Sequence, residues 1–377
     1  MQRIPILLIF LLSCRLNAQS DLEFSGYMMN LSSVQDGSPD NQDQRERVFT
    51  STLTRIRLRP ILYLSDNVRL VWEHEIDAAY SSQSLQAKSS SGSRQFVDLT
   101  WRPVREDNLQ LSHFVDRAYL RVDFRHSNVV AGRQRIAWGV GRIWNPTDLF
   151  NPINPADFTK LEKDGADAVS AKWNIGSFTD VQAVVIPQEK PGRSHAGARF
   201  RSNVGETDWS VMTGYFDRRS VLGADAAGNF GGAGFRVEGA LFSMTNSKKP
   251  DYLRAVAGVD YQFTSRWYGL AEFLFNGSGA LRREKYDLIS WQRGELLQLA
   301  REYIYLQSTY MLHPLIVLTL SSNSNLNDAS GFAQTAVDYS ALSWLQVGFG
   351  GIWFYGRTLS EYSYYSDALY IRATAYF

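Results

Sequence analysis

Short segments in which apolar and polar residues alternate recur along almost the whole chain, with no helical segment to cover them. That pattern constrains this sequence more than any other feature. Alternation with a period of two is strand geometry, because successive side chains point to opposite faces. In the clearest pair, Thr54, Ile56 and Leu58 share one face while Arg55, Arg57 and Arg59 share the other. A turn at Ser65-Asp66-Asn67 follows, and then Leu70, Trp72, Ile76 and Ala78, with His74 among them, stand opposite Glu73, Glu75 and Asp77. A hairpin centred on Asp66 sets Arg59 against Glu73, Arg57 against Glu75 and Arg55 against Asp77, and opposite charges across neighbouring strands favour that register.

The alternation returns in Ala118 to Phe124, Val181 to Val185, Trp209 to Tyr215, Ala255 to Phe263, Ile304 to Leu320 and Leu369 to Phe377. Segments starting near Leu22, Val48, Val68, His113, Val129, Ala166, Phe178, Ala196, Asp208, Ser220, Ala233, Asp251, Trp267, Arg301, Leu315, Phe332, Trp344 and Tyr365 predict about eighteen strands. The strand near Ser220 is the weakest, and without it the count would fall to about sixteen. Short turns fall on one side of these strands. Longer connections, such as 81–112, 139–165 and 277–299, fall on the other. In lipid every backbone N–H and C=O needs an internal partner, and many half-apolar strands meet that demand only by closing on themselves. The expectation is an all-β fold, a transmembrane antiparallel up-and-down β-barrel. Aromatic residues make up 13% of the chain, with 19 Tyr and 10 Trp, which suits interfacial girdles. The terminal Phe377 after an alternating strand resembles the ending read by the barrel-assembly machinery, so that machinery and outer-membrane lipid are expected partners.

The N-terminus reads as an export signal. A positive start at Arg3 precedes an apolar run, Ile4 to Leu12, too short to span a bilayer, and cleavage after Ala18 is expected. Residues 1–18 are then the signal and 19–377 a single barrel domain; a lipoprotein signal ending at Cys14 is the alternative. Cys14 is the only cysteine, so a mature chain would have no disulfide or thiol nucleophile. Losing Arg3 and Arg15 leaves 37 basic against 38 acidic residues, a net charge of −1, which gives no electrostatic footprint for nucleic acid. No segment has the long apolar run of a membrane-spanning helix.

Polar side chains on inward positions are the candidate functional groups. Arg55, Arg57, Arg59, Arg117, Arg121, Arg133, Arg135, Arg199 and Arg201 are expected to line one wall of the lumen, with Glu73, Glu75 and Asp77 as carboxylates able to pair with them. Free guanidinium groups would make a path for anions, whereas paired ones would be structural. Residues 139–165 carry three Asn-Pro steps, so the segment is no membrane strand. It is expected to fold into the pore as a constriction, with Trp144, Asn145, Asp148, Asp157 and Lys160 as its contacts and Asp164 as a further polar group; an ordinary outer loop is the alternative. No enzyme is indicated. None of the histidines His74, His113, His126, His195 and His313 has a second at metal-ligand spacing. There is no Gly-x-Ser-x-Gly elbow, and no cofactor or metal is expected.

Gly132-Arg133-Gln134, Trp138-Gly139 and the Asn-Pro pairs with Asp157 and Lys160 resemble a motif of porin-like Gram-negative outer-membrane barrels, the alginate-export-like barrels and related uncharacterised families. A second likeness spans Gly234 to Glu238, Asp251 to Phe263 and Trp267 to Gly279. The signal end Asn17-Ala18-Gln19 is similar to that of Bacteroidetes exports. The resemblance implies a barrel of eighteen strands in the cell outer membrane that passes anionic solutes or polysaccharide, and it brings no catalytic residue. Three functions remain open at this point: passive diffusion of small, preferably anionic solutes; export or surface assembly of an acidic polysaccharide; and, with least support, a barrel enzyme acting on lipid or sugar.

Overall fold

A computed structural model describes residues 21–37, 48–83, 94–150, 162–188, 194–243, 250–288 and 298–377. The expected signal, residues 1–18, and two of the expected loop contacts, Asp157 and Lys160, lie outside the described residues. Along the chain, β1 is Asp21–Asp36, β2 Val48–Ser65, β3 Val68–Ser81, β4 Thr100–Arg105, β5 Leu109–Asp123, β6 Ser127–Gln134, β7 Ala166–Asn174, β8 Asp180–Ile186, β9 His195–Val204 and β10 Thr207–Phe216. The circuit continues through β11 Arg219–Phe230, β12 Ala233–Ser243, β13 Tyr252–Thr264, β14 Trp267–Asn276, β15 Glu302–His313, β16 Ile316–Asn325, β17 Ser330–Leu342, β18 Leu345–Tyr355 and β19 Asp367–Tyr376. Each long strand pairs antiparallel with its neighbours in sequence, and β1 pairs with both β2 and β19, which closes the sheet. The short β4 pairs only with β5, while β3 pairs with β5 directly. Of the 19 strands, β4 stands outside the circuit, leaving eighteen in the closed barrel.

The charged hairpin adopts the expected register, with Arg55 opposite Asp77 and Arg57 opposite Glu75. Large apolar side chains on the alternate positions, among them Phe24, Met28, Leu222, Val259, Leu306, Leu320, Phe349 and Ile371, are exposed on the outside. An apolar exterior of that extent suits a hydrocarbon environment. The short turns and the described ends of the chain, Asp21 and Phe377, lie together at what is here the turn end. The longer connections mark the loop end.

Two connections at the loop end are not simple loops. β6 leaves the wall at Gln134, five residues before the expected boundary. Gly132 makes the departure possible: its φ is +122°, and a Cβ there would collide with the Ala118 carbonyl oxygen. The connection between β3 and β5, expected as an open loop from 81 to 112, supplies β4 and the preceding residues 94–99, which fill the position that β6 vacates. Val115 N donates to the Leu99 carbonyl, and Asp167 N to that of Arg94.

Arg133 does not line the lumen as expected. Register sets it opposite Ala118, on the face shared by Leu120 and Ala131 rather than by Arg117 and Arg121. Only 2% exposed, it donates to the carbonyl oxygens of Val115, at 2.9 Å, and Val97. Its Nε also holds Asp167 Oδ1 at 2.7 Å, and Asp167 Oδ2 in turn accepts the amides of Phe96 and Val97. Where the strand ladder is interrupted, this ion pair takes over the backbone groups that an adjacent strand would satisfy. Arg133→Ala would leave a carboxylate and two carbonyls without their donor. It is expected to destabilise the barrel by about 3–5 kcal/mol, measured as a shift of the urea midpoint in lipid vesicles; a shift under about 1 kcal/mol would deny it this role.

Candidate functional site

Inside the barrel, the guanidinium groups of β2 and β5 are interleaved with carboxylates. Arg55 holds Asp77 through two bonds of 2.9 and 2.8 Å and contacts Glu75 at 3.0 Å. Arg57 holds Glu73 at 2.7 Å, Glu75 at 2.8 Å and the buried Asp116. Arg117 reaches Glu73 at 3.1 Å and Glu162 at 3.0 Å, and Arg59 also pairs with Glu162. Four arginines therefore meet five carboxylates, Glu73, Glu75, Asp77, Asp116 and Glu162, and this ladder carries no spare positive charge. Removing one member of such a buried network strands its partners and costs about 3–5 kcal/mol.

The remaining expected arginines are scattered. Arg121 pairs with Asp123 on its own strand at 2.7 Å, and Arg201 with Asp180 at 2.7 Å. Arg199 lies over the Trp138 ring, 5.6 Å from its centroid. Arg135 is exposed just past the end of β6, because the strand has already left the wall.

The described residues 139–150 of the segment expected as a constriction enter the lumen and follow its inner wall far from β6. Val140 N and Gly141 N donate to one oxygen of Glu238, and Thr147 donates through N and Oγ1 to the other, all between 2.7 and 3.1 Å. Glu238 lies on β12. Glu272, on β14, accepts the amides of Arg142, Ile143 and Trp144 between 2.7 and 3.0 Å. An irregular backbone away from bulk water needs such acceptors, and a carboxylate is the strongest side chain for the purpose. Gly139, at φ +87°, allows the close approach, since a Cβ there would lie 2.7 Å from both Glu238 oxygens. Apolar anchors flank the polar contacts. Trp138 and Phe150 pack edge to face at 4.8 Å and join Val184, Met212, Phe216 and Phe242. Trp144, 4% exposed, packs with Val256, Leu270, Tyr303 and Tyr305. Asp148 is buried against Lys163 at 2.6 Å, and Asn145 accepts the Asp148 amide through its backbone carbonyl. Where the chain returns to the wall, Glu162 meets the ladder and Gly165 N donates to Asp116.

Glu238 and Glu272 escaped the sequence reading. Part of their signal was available: each has buried apolar neighbours on its own strand, Ala240 and Phe242 for Glu238 and Leu270 and Leu274 for Glu272, and no basic residue directly across the sheet, although Arg236 on the same face of β12 obscures the first.

A second polar cluster ties the loop end together. Glu361, in a single 3-10 turn at Glu361–Tyr364, accepts Leu299 N at 3.0 Å, Tyr303 Oη at 2.5 Å and Asn325 Nδ2 at 2.8 Å. Its own amide donates to Asp328, which also accepts the Tyr286 hydroxyl. Burial pushes the Glu361 carboxyl up to about 7. At the β10–β11 turn, burial also raises Asp217, but two 2.7 Å bonds from Arg94 outweigh it and leave that carboxyl below its ordinary value.

With this geometry in place, comparison with known proteins is limited to fold. No family model matches the chain, and no curated protein sequence does. Pseudomonas aeruginosa OccK7 (OpdD) superposes with a TM-score of 0.57 at 8% identity, over 96% of this chain and 99% of that one. An engineered mutant of a Rhodopseudomonas blastica porin matches with a TM-score of 0.50 at 10% identity, over 95% and 100%. The chain has the fold of a porin-like barrel.

Two outcomes follow. Glu272→Gln weakens three charge-assisted bonds, so hydrogen-exchange protection of Arg142, Ile143 and Trp144 is expected to fall at least about tenfold. Unchanged protection would mean that the apolar anchors hold the segment alone. Glu361 binds its proton more tightly in the folded protein than at its ordinary value of 4.5, so its contribution to stability falls as pH rises from about 4.5 through about 7. Glu361→Gln should flatten that part of the thermal stability profile, and an identical slope in the variant would exclude Glu361 as its source.

Proposed function

We propose that the protein is an outer-membrane diffusion channel for small hydrophilic solutes, with its loop end outward and the inward residues 135–150 as its constriction. The observation that carries this reading is the unequal filling of the interior. On β8 to β14 the inward side chains Val184, Met212, Val221, Ala240, Val256 and Leu270 are buried, most of them under the inward segment. On β15 to β19 the inward face carries Gln307, Thr309, Thr319, Gln334 and Tyr370, which are only half-buried, so water reaches them from within the barrel. A wall of hydrogen-bonding groups, with Arg372 and Asp338 paired to each other at 2.7 Å, suits hydrophilic solutes.

Of the arginines the sequence suggested, only Arg199 supports the preference for anions; the others that support it, Arg142, Arg219 and Arg254, were not among them. The ladder of Arg55, Arg57, Arg59 and Arg117 is charge-compensated and leaves little field for a permeating ion. Arg142, Arg199, Arg219 and Arg254 have no ion pair among the described residues, and Arg142 is exposed on the inward segment itself. Planar-bilayer recordings should give an open conductance with reversal potentials on the anion-selective side. Arg142→Gln should lower the anion-to-cation permeability ratio about twofold or more, the effect weakening as salt screens the charge. A sealed barrel would end the channel reading, and cation selectivity in the unaltered protein would end the anion preference.

A further inference from the structure

Two arginines near the loop end of the inner wall set their charge against aromatic rings rather than carboxylates. Arg219 begins β11, and Arg254 lies on β13. Both share the inward face, because Val221 and Val256, each two residues further along its strand, are buried in the interior clusters. The Arg219 guanidinium sits 4.8 Å from the centre of the Tyr252 ring. That of Arg254 lies 5.4 Å from the Tyr252 ring and 5.4 Å from Phe242. The two rings stack at 4.7 Å with 12° between their planes.

The polar partners of Arg254 are neutral: Asn276 Oδ1 at 3.1 Å and Ser278 Oγ at 3.3 Å. Arg219 Nη1 is buried and has no hydrogen-bond partner among the described residues. The carboxylate nearest to Arg219 in sequence, Asp217, is bonded by Arg94 through both of its oxygens and acts on Arg219 and Arg254 only by longer-range attraction, with no ion pair to either. Two like charges thus flank one aromatic ring without an ion pair among the described residues. Each cation–π contact returns about 0.5–2 kcal/mol, while stripping a charged group of water costs several. Donors left in that state are stabilised by an oxyanion, and the guanidinium fork fits one directly.

We propose that Arg219 and Arg254, backed by Tyr252 and Phe242, form an oxyanion-binding subsite at the outer entrance of the lumen, which takes a small solute by its carboxylate or phosphate group. Its part in uptake rests on the channel reading; its binding chemistry does not.

The test uses the whole barrel, with sodium benzoate and sodium phosphate as probes. In bilayers carrying a chloride current, either probe added on the loop side should reduce the current saturably. Arg219→Gln and Arg254→Gln should each raise the half-blocking concentration about tenfold, the loss of one charge-assisted contact. Arg266→Gln, on the turn between β13 and β14, should leave it unchanged. Block by benzoate alone assigns a planar carboxylate, and block by phosphate alone a tetrahedral anion. In detergent, the same probes should raise the unfolding temperature of the unaltered protein but not of Arg219→Gln or Arg254→Gln. A conducting barrel with neither saturable block nor a thermal shift overturns the subsite and leaves the channel standing. A silent barrel that the probes still stabilise through these arginines keeps the subsite and overturns the channel.

Discussion

The obligation to pair every backbone N–H and C=O away from bulk water governs this structure. The exterior is apolar, so no strand edge can be left to solvent, and the sheet closes through β1 against β19. The same obligation explains the less regular features. Where β6 leaves the wall, β4 and residues 94–99 occupy its place, and Arg133 with Asp167 serves the carbonyls and amides that the substitution leaves over. Where the inward segment abandons strand geometry, Glu238 and Glu272 accept the amides of its tip. The four charged side chains do one job: they replace the missing ladder.

That job divides the charged residues of the interior into kinds with different consequences. Arg55, Arg57, Arg59 and Arg117 are neutralised by neighbours on β2 to β5 and by Glu162, and they tie the returning end of the inward segment to the wall. Glu238 and Glu272 have no basic partner and hold backbone instead. Arg142, Arg219 and Arg254 have no ion pair among the described residues and no ladder role, and the proposed anion preference rests on them for that reason. A count of lumen arginines does not separate these groups; their partners do.

The inner wall is equally divided. Its β8 to β14 side meets hydrocarbon outside, and inside it carries apolar clusters under the inward segment, interrupted by Glu238, Glu272 and a few arginines. The run Phe273-Leu274-Phe275 on β14 accordingly loses the alternation so plain in β2. Near-continuous apolar strands in a chain otherwise alternating are the trace of a covered inner face, and a reading that assumes a polar lumen passes over it. Conversely, β15 to β19 meet protein only in their loop-end half, where Tyr303, Tyr305, Phe332 and Ile352 pack with Trp144, and toward the turn end their inner side keeps half-buried polar groups such as Gln307, Thr309 and Thr319.

The sequence by itself determined the barrel, the places of its strands, with only the one near Ser220 in question, and the pairing of Arg55 with Asp77 and Arg57 with Glu75. Side-chain alternation and cross-strand charge are local properties, readable from neighbours two residues apart or across one turn. Only the tertiary structure decided that β4 stands in for the end of β6, that Arg133 belongs to the wall, and that Glu238 and Glu272 hold a segment about a hundred residues or more away in sequence. Those assignments depend on which surfaces closure brings face to face across the lumen, and no periodicity along a single strand records what lies opposite it.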